Sequence, residues 1–222
     1  MVSDGGPAGS AGPVLALLHT SAVHPPVFDA LRDRHHPGVG LRHLVHEELL
    51  ARAAAEGPDA VADEVSAAVG RAVAAGAGAV LCTCSTIGAV AEASAGRYGV
   101  PVLRVDRPMA AEAAARGRVA VLATVASTLG PTEALIRAEA AGRPLELRHV
   151  LVPGAWERFE AGDTEGYART VAAAIDAVRD TAVIVLAQAS MAPAAKYART
   201  AIPVLAGPES GLRAAVTALN GG

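Results

Sequence analysis

The chain repeats itself. Thr20 and Thr124, Leu31 and Leu135, Cys84 and Gln188, and Thr86 and Ser190 are each 104 positions apart. Near the end of each half the spacing falls to 102, which lays Val100-Pro101-Val102-Leu103 over Ile202-Pro203-Val204-Leu205. One offset held across apolar runs, helical stretches and polar clusters points to two similar units in one chain.

Each unit alternates short apolar runs with longer helix-periodic stretches. In the first half, strands are expected at 14–18, 41–45, 79–84 and 100–106, and helices at 27–34, 58–75, 85–96 and 108–116. In the second, strands are expected at 119–123, 145–152, 182–187 and 202–205, and helices at 132–140, 163–179 and 210–219. Strands alternating with helices predict an α/β fold with parallel sheets and right-handed crossovers. The predicted division is a disordered Gly/Pro/Ser/Ala-rich leader over 1–13, a first α/β unit over 14–107, a second over 108–206, and a last helix, within 207–222, packing back on the first unit. At 222 residues the chain is long enough to bury a full core. Hydrophobic residues make up 52% and aromatic residues only 3%, so that core must be Ala, Val and Leu.

Ligands of open parallel sheets bind at the C-terminal ends of the strands. The repeat brings Thr20-Ser21, Cys84-Ser85-Thr86, Thr124 and Gln188 to Ser190 to such ends, lining one cleft if the halves face each other. Both cysteines of the chain lie here. Cys82 falls inside the apolar run and reads as a small buried residue. Cys84 falls at the polar mouth, beside hydroxyls and the start of a helix, where a thiol ionises more readily. Hydroxyls and helix-start N–H groups suit a carboxylate. Thr20, Ser21, Ser85, Thr86, Thr124, Thr128, Gln188 and Ser190 are therefore the expected substrate-binding residues, although Ser21, Thr86, Thr124 and Thr128 could equally cap the helices that follow.

Several classes are disfavoured. A net charge of −3 without a basic block gives no support for nucleic acid or an acidic membrane surface. No apolar run is long enough for a transmembrane helix, and two thiols two residues apart cannot staple a fold; a cytoplasmic protein with reduced thiols is expected. No His, Cys and carboxylate set has metal-ligand spacing, so no metal is expected. There is no G-x-G-x-x-G after a strand, no phosphate-binding P-loop and no G-x-S-x-G elbow. What remains is a thiolate acting as acid/base or nucleophile on a small carboxylic acid, without a cofactor. A non-catalytic carboxylate-binding protein is the reading from another class.

Cys84-Ser85-Thr86, Val121-Leu122-Ala123-Thr124 with Ser127-Thr128, and the run 182–187 before Gln188 resemble the aspartate/glutamate racemase superfamily, which includes hydantoin racemases, maleate isomerases and arylmalonate decarboxylases. The resemblance spans nearly all of the chain after the leader. It implies two pseudo-symmetric Rossmann-like units with the active site in the cleft between them, no cofactor, a small carboxylate substrate and a homo-oligomer, a dimer or higher. It makes racemase or isomerase the leading label, with a one-thiol decarboxylase or a cis–trans isomerase as the alternatives. It also exposes a departure. Where the racemases carry a second cysteine for the opposite face of the substrate carbon, this chain has Gln188, which cannot exchange a proton at neutral pH. Ser190 and His46 are the sequence candidates for a substitute acid/base, and His46 could equally be a solvated strand-end residue.

Overall fold

The computed structural model describes residues 12–221. Of the expected leader, only Gly12 and Pro13 fall within it.

The first unit comprises β1 (Val14–His19), α1 (Pro25–His35), β2 (Gly40–Val45), α2 (Glu47–Glu56), α3 (Ala62–Ala74), β3 (Ala79–Cys82), α4 (Gly88–Ala93) and β4 (Val102–Arg104). The second comprises α5 (Arg107–Arg116), β5 (Arg118–Ala123), α6 (Leu129–Ala140), β6 (Glu146–Leu151), α7 (Ala155–Glu160), α8 (Thr164–Ala177), β7 (Val183–Leu186) and β8 (Val204–Ala206), and α9 (Gly207–Asn220) ends the chain. The strands form two four-stranded sheets in matching orders, β2-β1-β3-β4 and β6-β5-β7-β8, and every pairing is parallel. The fold is thus two pseudo-symmetric parallel α/β units. The register explains the sequence offsets. Leu15 pairs with Ala79 where Val119 pairs with Val183, each member of one pair 104 positions from its mate in the other. Val80 pairs with Val102 where Ile184 pairs with Val204.

Strand alternation assigns side chains to the two faces of each sheet. Ala16 and Leu18 of β1 and Val80 and Cys82 of β3 pack beneath α3, in a cluster with Val65 and Val69. Their neighbours Leu15, Leu17 and Leu81 face the other way, onto Phe28 of α1 and Leu212 and Val216 of α9. In the second sheet Leu122, Ile184 and Leu186 meet Val171 and Ile175 of α8, while Val119, Val121 and Val185 meet α5 and α6. Both faces of both sheets are covered, which is why the central strands read as continuous apolar runs rather than as alternating ones.

Helix α9 lies against β1 and β3 of the first sheet. Its approach is close at Gly211, where a methyl group would stand 2.4 Å from the Val105 carbonyl oxygen.

Two helices depart from the sequence expectation. Helix α2 falls where the sequence reading places a strand end and assigns nothing further before residue 58. Its strong helix formers and first-turn Glu47 and Glu48 are signals which that reading passes over, and it buries only Leu49 and Ala53. Gly57, at φ +93°, ends it and separates it from the 58–75 stretch, which itself divides into a 3₁₀ turn (Pro58–Val61) and α3. Helix α7 has six residues and buries only Ala155. Both follow edge strands at equivalent places in the two units, and both build the cleft described next.

Candidate active site

A cleft of about 590 Å³ opens where the C-terminal ends of the two sheets meet. From the first unit it is lined by Thr20, Ser21, Thr83, Cys84, Ser85 and Thr86, and from the second by Thr128, Gln188, Ala189 and Ser190. The two strand ends touch: the Ser85 hydroxyl donates to the Ala187 carbonyl at 3.2 Å. A buried ion pair supports the cysteine turn from behind. Arg104 binds Asp106 through Nε at 2.6 Å and through a second nitrogen at 2.9 Å, and also donates to the Ser85 carbonyl at 3.3 Å.

The two thiols are placed differently. Cys82 is fully buried within the first sheet's core, and burial, with Cys84 next in order, pushes its thiol pKa well above the usual range. Cys84 lies on the cleft wall.

Gln188, just past the end of β7, lines the same cleft. Its side-chain oxygen accepts from the Thr124 amide at 2.7 Å, the Thr124 hydroxyl at 3.0 Å and the Val125 amide at 3.3 Å. Three donors on one atom fix the orientation of the amide. Its NH₂ group makes no hydrogen bond among the described residues, so it is available to donate into the cleft. Thr124 therefore serves Gln188 and does not itself line the cleft. The hydroxyls of Thr20, Ser21, Thr86 and Thr128 line it without any side-chain hydrogen bond among the described residues, so they remain open to a ligand.

The two candidates for a second acid/base fare poorly. Ser190 lines the cleft, but its hydroxyl pairs with the Tyr167 phenol at 2.9 Å, whose pKa burial raises, and no base among the described residues hydrogen-bonds to it. His46 does not line the cleft. It is bound to Glu48 at 2.8 Å and lies near Arg71, at the start of α2.

The imidazole that does line the cleft is His24, just before α1. Its Nδ1 is buried without a hydrogen-bond partner among the described residues, and burial lowers its pKa to about 4, so the ring is uncharged near neutral pH. It is the 104-residue mate of Thr128, the one signal that could have singled it out. Behind it, Thr83 Oγ1 meets His19 Nδ1 at 2.7 Å, His19 Nε2 meets His43 Nδ1 at 2.8 Å, and His43 Nε2 approaches Asp29 at 3.4 Å. This hydrogen-bonded chain links the cleft wall to the surface. His19 is fully buried, and burial, with His24 and His43 nearby, lowers its pKa to about 3.

The sequence reading missed the remaining wall because it missed the helices that carry it. Helix α2 contributes Glu47, Leu50 and Ala51, and α7 contributes Trp156, Phe159 and Glu160.

The model of the family described as Asp/Glu/hydantoin racemase matches residues 20–215, which takes in every cleft residue named above. The chain belongs to this family. Among solved structures, this racemase-family chain is similar to glutamate racemase from Bacillus anthracis (TM-score 0.72, 16% identity, covering 95% of this chain and 83% of that one). It is similar to the aspartate racemase of Picrophilus torridus (0.68, 14%, 94% and 95%) and to arylmalonate decarboxylase (0.61, 19%, 95% and 94%). At these identities the likeness is one of fold. No curated protein sequence matches it. No helix among the described residues is long and apolar enough to cross a membrane.

Proposed function

We propose that the protein is a cofactor-independent enzyme working at the carbon next to a carboxylate or carbonyl of a small anionic substrate, with Cys84 as its acid/base thiol. The observation that supports this reading is that Cys84 and Gln188, at equivalent positions in the two units, line one cleft together with open hydroxyls. Family membership makes racemisation or isomerisation the leading label. In that reaction the Cys84 thiolate takes the proton from the α-carbon. The electron pair moves onto the carboxylate oxygens, which the Gln188 NH₂ and the hydroxyls of Thr20, Ser21 and Thr86 stabilise by hydrogen bonding. Proton return from Cys84 restores the starting configuration, and return from the opposite face inverts it. Gln188 supplies no proton to that face. His24, uncharged and in the same cleft, is proposed in place of Ser190 and His46 as the base that takes the proton from that face of the opposite enantiomer, with the Cys84 thiol returning one. A neutral imidazole has no acidic proton to return, so inversion of the enantiomer that Cys84 deprotonates is slow.

The fixed, neutral Gln188 favours one second reading, decarboxylation. There the bond to a departing carboxylate breaks, carbon dioxide leaves, and the Cys84 thiol protonates the resulting carbanion from one face. This needs no acid/base opposite.

The test is incubation of the wild type and Cys84→Ala with 2-amino acids, hydantoins, maleate and substituted malonates in deuterated water. Exchange or conversion of at least one substrate by the wild type, lost in Cys84→Ala with binding retained, supports the proposal. Binding without turnover in the wild type would instead make the protein a carboxylate-binding module.

A further inference from the structure

Beside the cleft lies a second pocket of about 290 Å³, and Phe159, His24, Ala189 and Ser190 line both spaces. The far wall of this pocket includes Val23, Val27, Tyr167, Ala168, Pro193 and Tyr197.

Three observations bear on what fills it. The first is where the aromatics are. The chain has six, one Trp, three Tyr and two Phe, and four of them (Trp156, Phe159, Tyr167 and Tyr197) line these two spaces. The rings of Trp156 and Phe159 stack with centroids 5.0 Å apart, and Phe159 meets Tyr167 at 5.2 Å, which makes a continuous wall from cleft to side pocket. Phe159 and Tyr167 also pack into the second unit's core, whereas Trp156 and Tyr197 do not.

The second is charge. No Lys or Arg lines either space, whereas Glu47, Glu160 and Glu165 do. A substrate whose side chain ended in a second carboxylate would meet like charge with no cation to offset it. The third is the rim. Val23, Val27 and Tyr197 are 47%, 36% and 40% exposed, three of the five large hydrophobic side chains left exposed among the described residues.

We propose that the side pocket binds an uncharged aryl or bulky alkyl group on the reacting carbon, so that the substrate is an α-substituted carboxylic acid without a charged side chain. This rests on the proton chemistry proposed above for Cys84. The carboxylate lies among the hydroxyls and the Gln188 amide, and the apolar group passes Phe159 into the pocket. Contacts with the ring edges and faces discriminate for aryl groups.

Trp156 is the chain's single tryptophan and forms part of this wall, so its fluorescence reports binding directly. The probes are phenylacetate, cyclohexylacetate, acetate and succinate. Burying a ring-sized apolar group should make phenylacetate bind roughly 10- to 100-fold more tightly than acetate, and succinate should gain nothing over acetate. Val23→Asp and Tyr197→Asp, both at exposed positions, should each weaken phenylacetate by about tenfold and acetate little. Succinate binding as tightly as phenylacetate, no binding by any probe, or variants that leave the preference intact would each overturn the inference. A phenylacetate preference without Cys84-dependent exchange would sink the proposed chemistry and leave the pocket assignment standing.

Discussion

Acidification should destabilise this protein well above the range in which its carboxylates titrate. His19 and His24 have folded-state pKa values of about 3 and about 4, against 6.5 for an unperturbed imidazole, because burial disfavours the charged ring. The unfolded chain gains a proton on each as pH falls through 6.5, and the fold gains neither until much lower pH. Stability is therefore complete above about pH 6.5 and is lost as pH falls toward the folded values. Integrating the proton uptake of one such group from pH 6.5 to 5 gives a loss of about 1.6 kcal/mol. The two histidines together should then cost about 3 kcal/mol, a large part of the 5–15 kcal/mol typical of a domain of ordinary stability. Glu48, Glu64 and Asp163 have lowered folded pKa values, so their contributions are lost only at still lower pH. Urea unfolding followed by far-UV circular dichroism at pH 6.5 and pH 5 measures the loss. In His24→Gln the fall between the two should be about half as large, whatever that variant's absolute stability. A change below about 1 kcal/mol in the wild type, or an undiminished fall in His24→Gln, would refute the assignment of two buried uncharged rings.

Alkylation of the folded protein with mass mapping should label Cys84 and spare Cys82, whose thiol is fully buried with a raised pKa; preferential labelling of Cys82 would contradict the placement of both. Gly211→Ala should destabilise the fold by about 1–3 kcal/mol in urea unfolding, because the added methyl meets the Val105 backbone. No effect would argue against α9 as part of the first unit, the division proposed from the sequence. Gln188→Cys should raise racemisation of any substrate the pocket accepts, since it restores an acid/base that typically contributes about 10²–10⁴-fold, and an unchanged rate would show that the opposite face lies elsewhere.

The repeat made the architecture legible. The offsets shared by Thr20 and Thr124, and by Cys84 and Gln188, correspond to strand ends in identical sheet orders. Apolar runs at 79–82 and 183–186 stood out because both faces of each sheet are covered. The floor of the cleft was readable for the same reason: its polar residues follow those runs directly. The side walls were missed. Trp156 and Phe159 lie on a six-residue helix too short to show a period, and Glu47 and Leu50 on a helix whose signals were legible; all four reach the cleft through tertiary placement. His24 carried no local motif, and its unpartnered, buried nitrogen is a property of the packed structure. Thr124 was read as a ligand for substrate because it ends a strand as Thr20 does. Only the side-chain geometry shows it bound to Gln188.

The central claim is that one thiol, Cys84, handles the proton on one face while Gln188 opposite handles none. Its direct measurement is enantiomer-resolved exchange. Each enantiomer of an accepted substrate is incubated in deuterated water, and α-deuterium incorporation and inversion are followed together by NMR and chiral chromatography. The account predicts that one enantiomer exchanges faster than it inverts, and that Cys84→Ala abolishes this exchange. Equal exchange from both enantiomers with inversion keeping pace, undisturbed in His24→Gln, or exchange that survives Cys84→Ala, would contradict it.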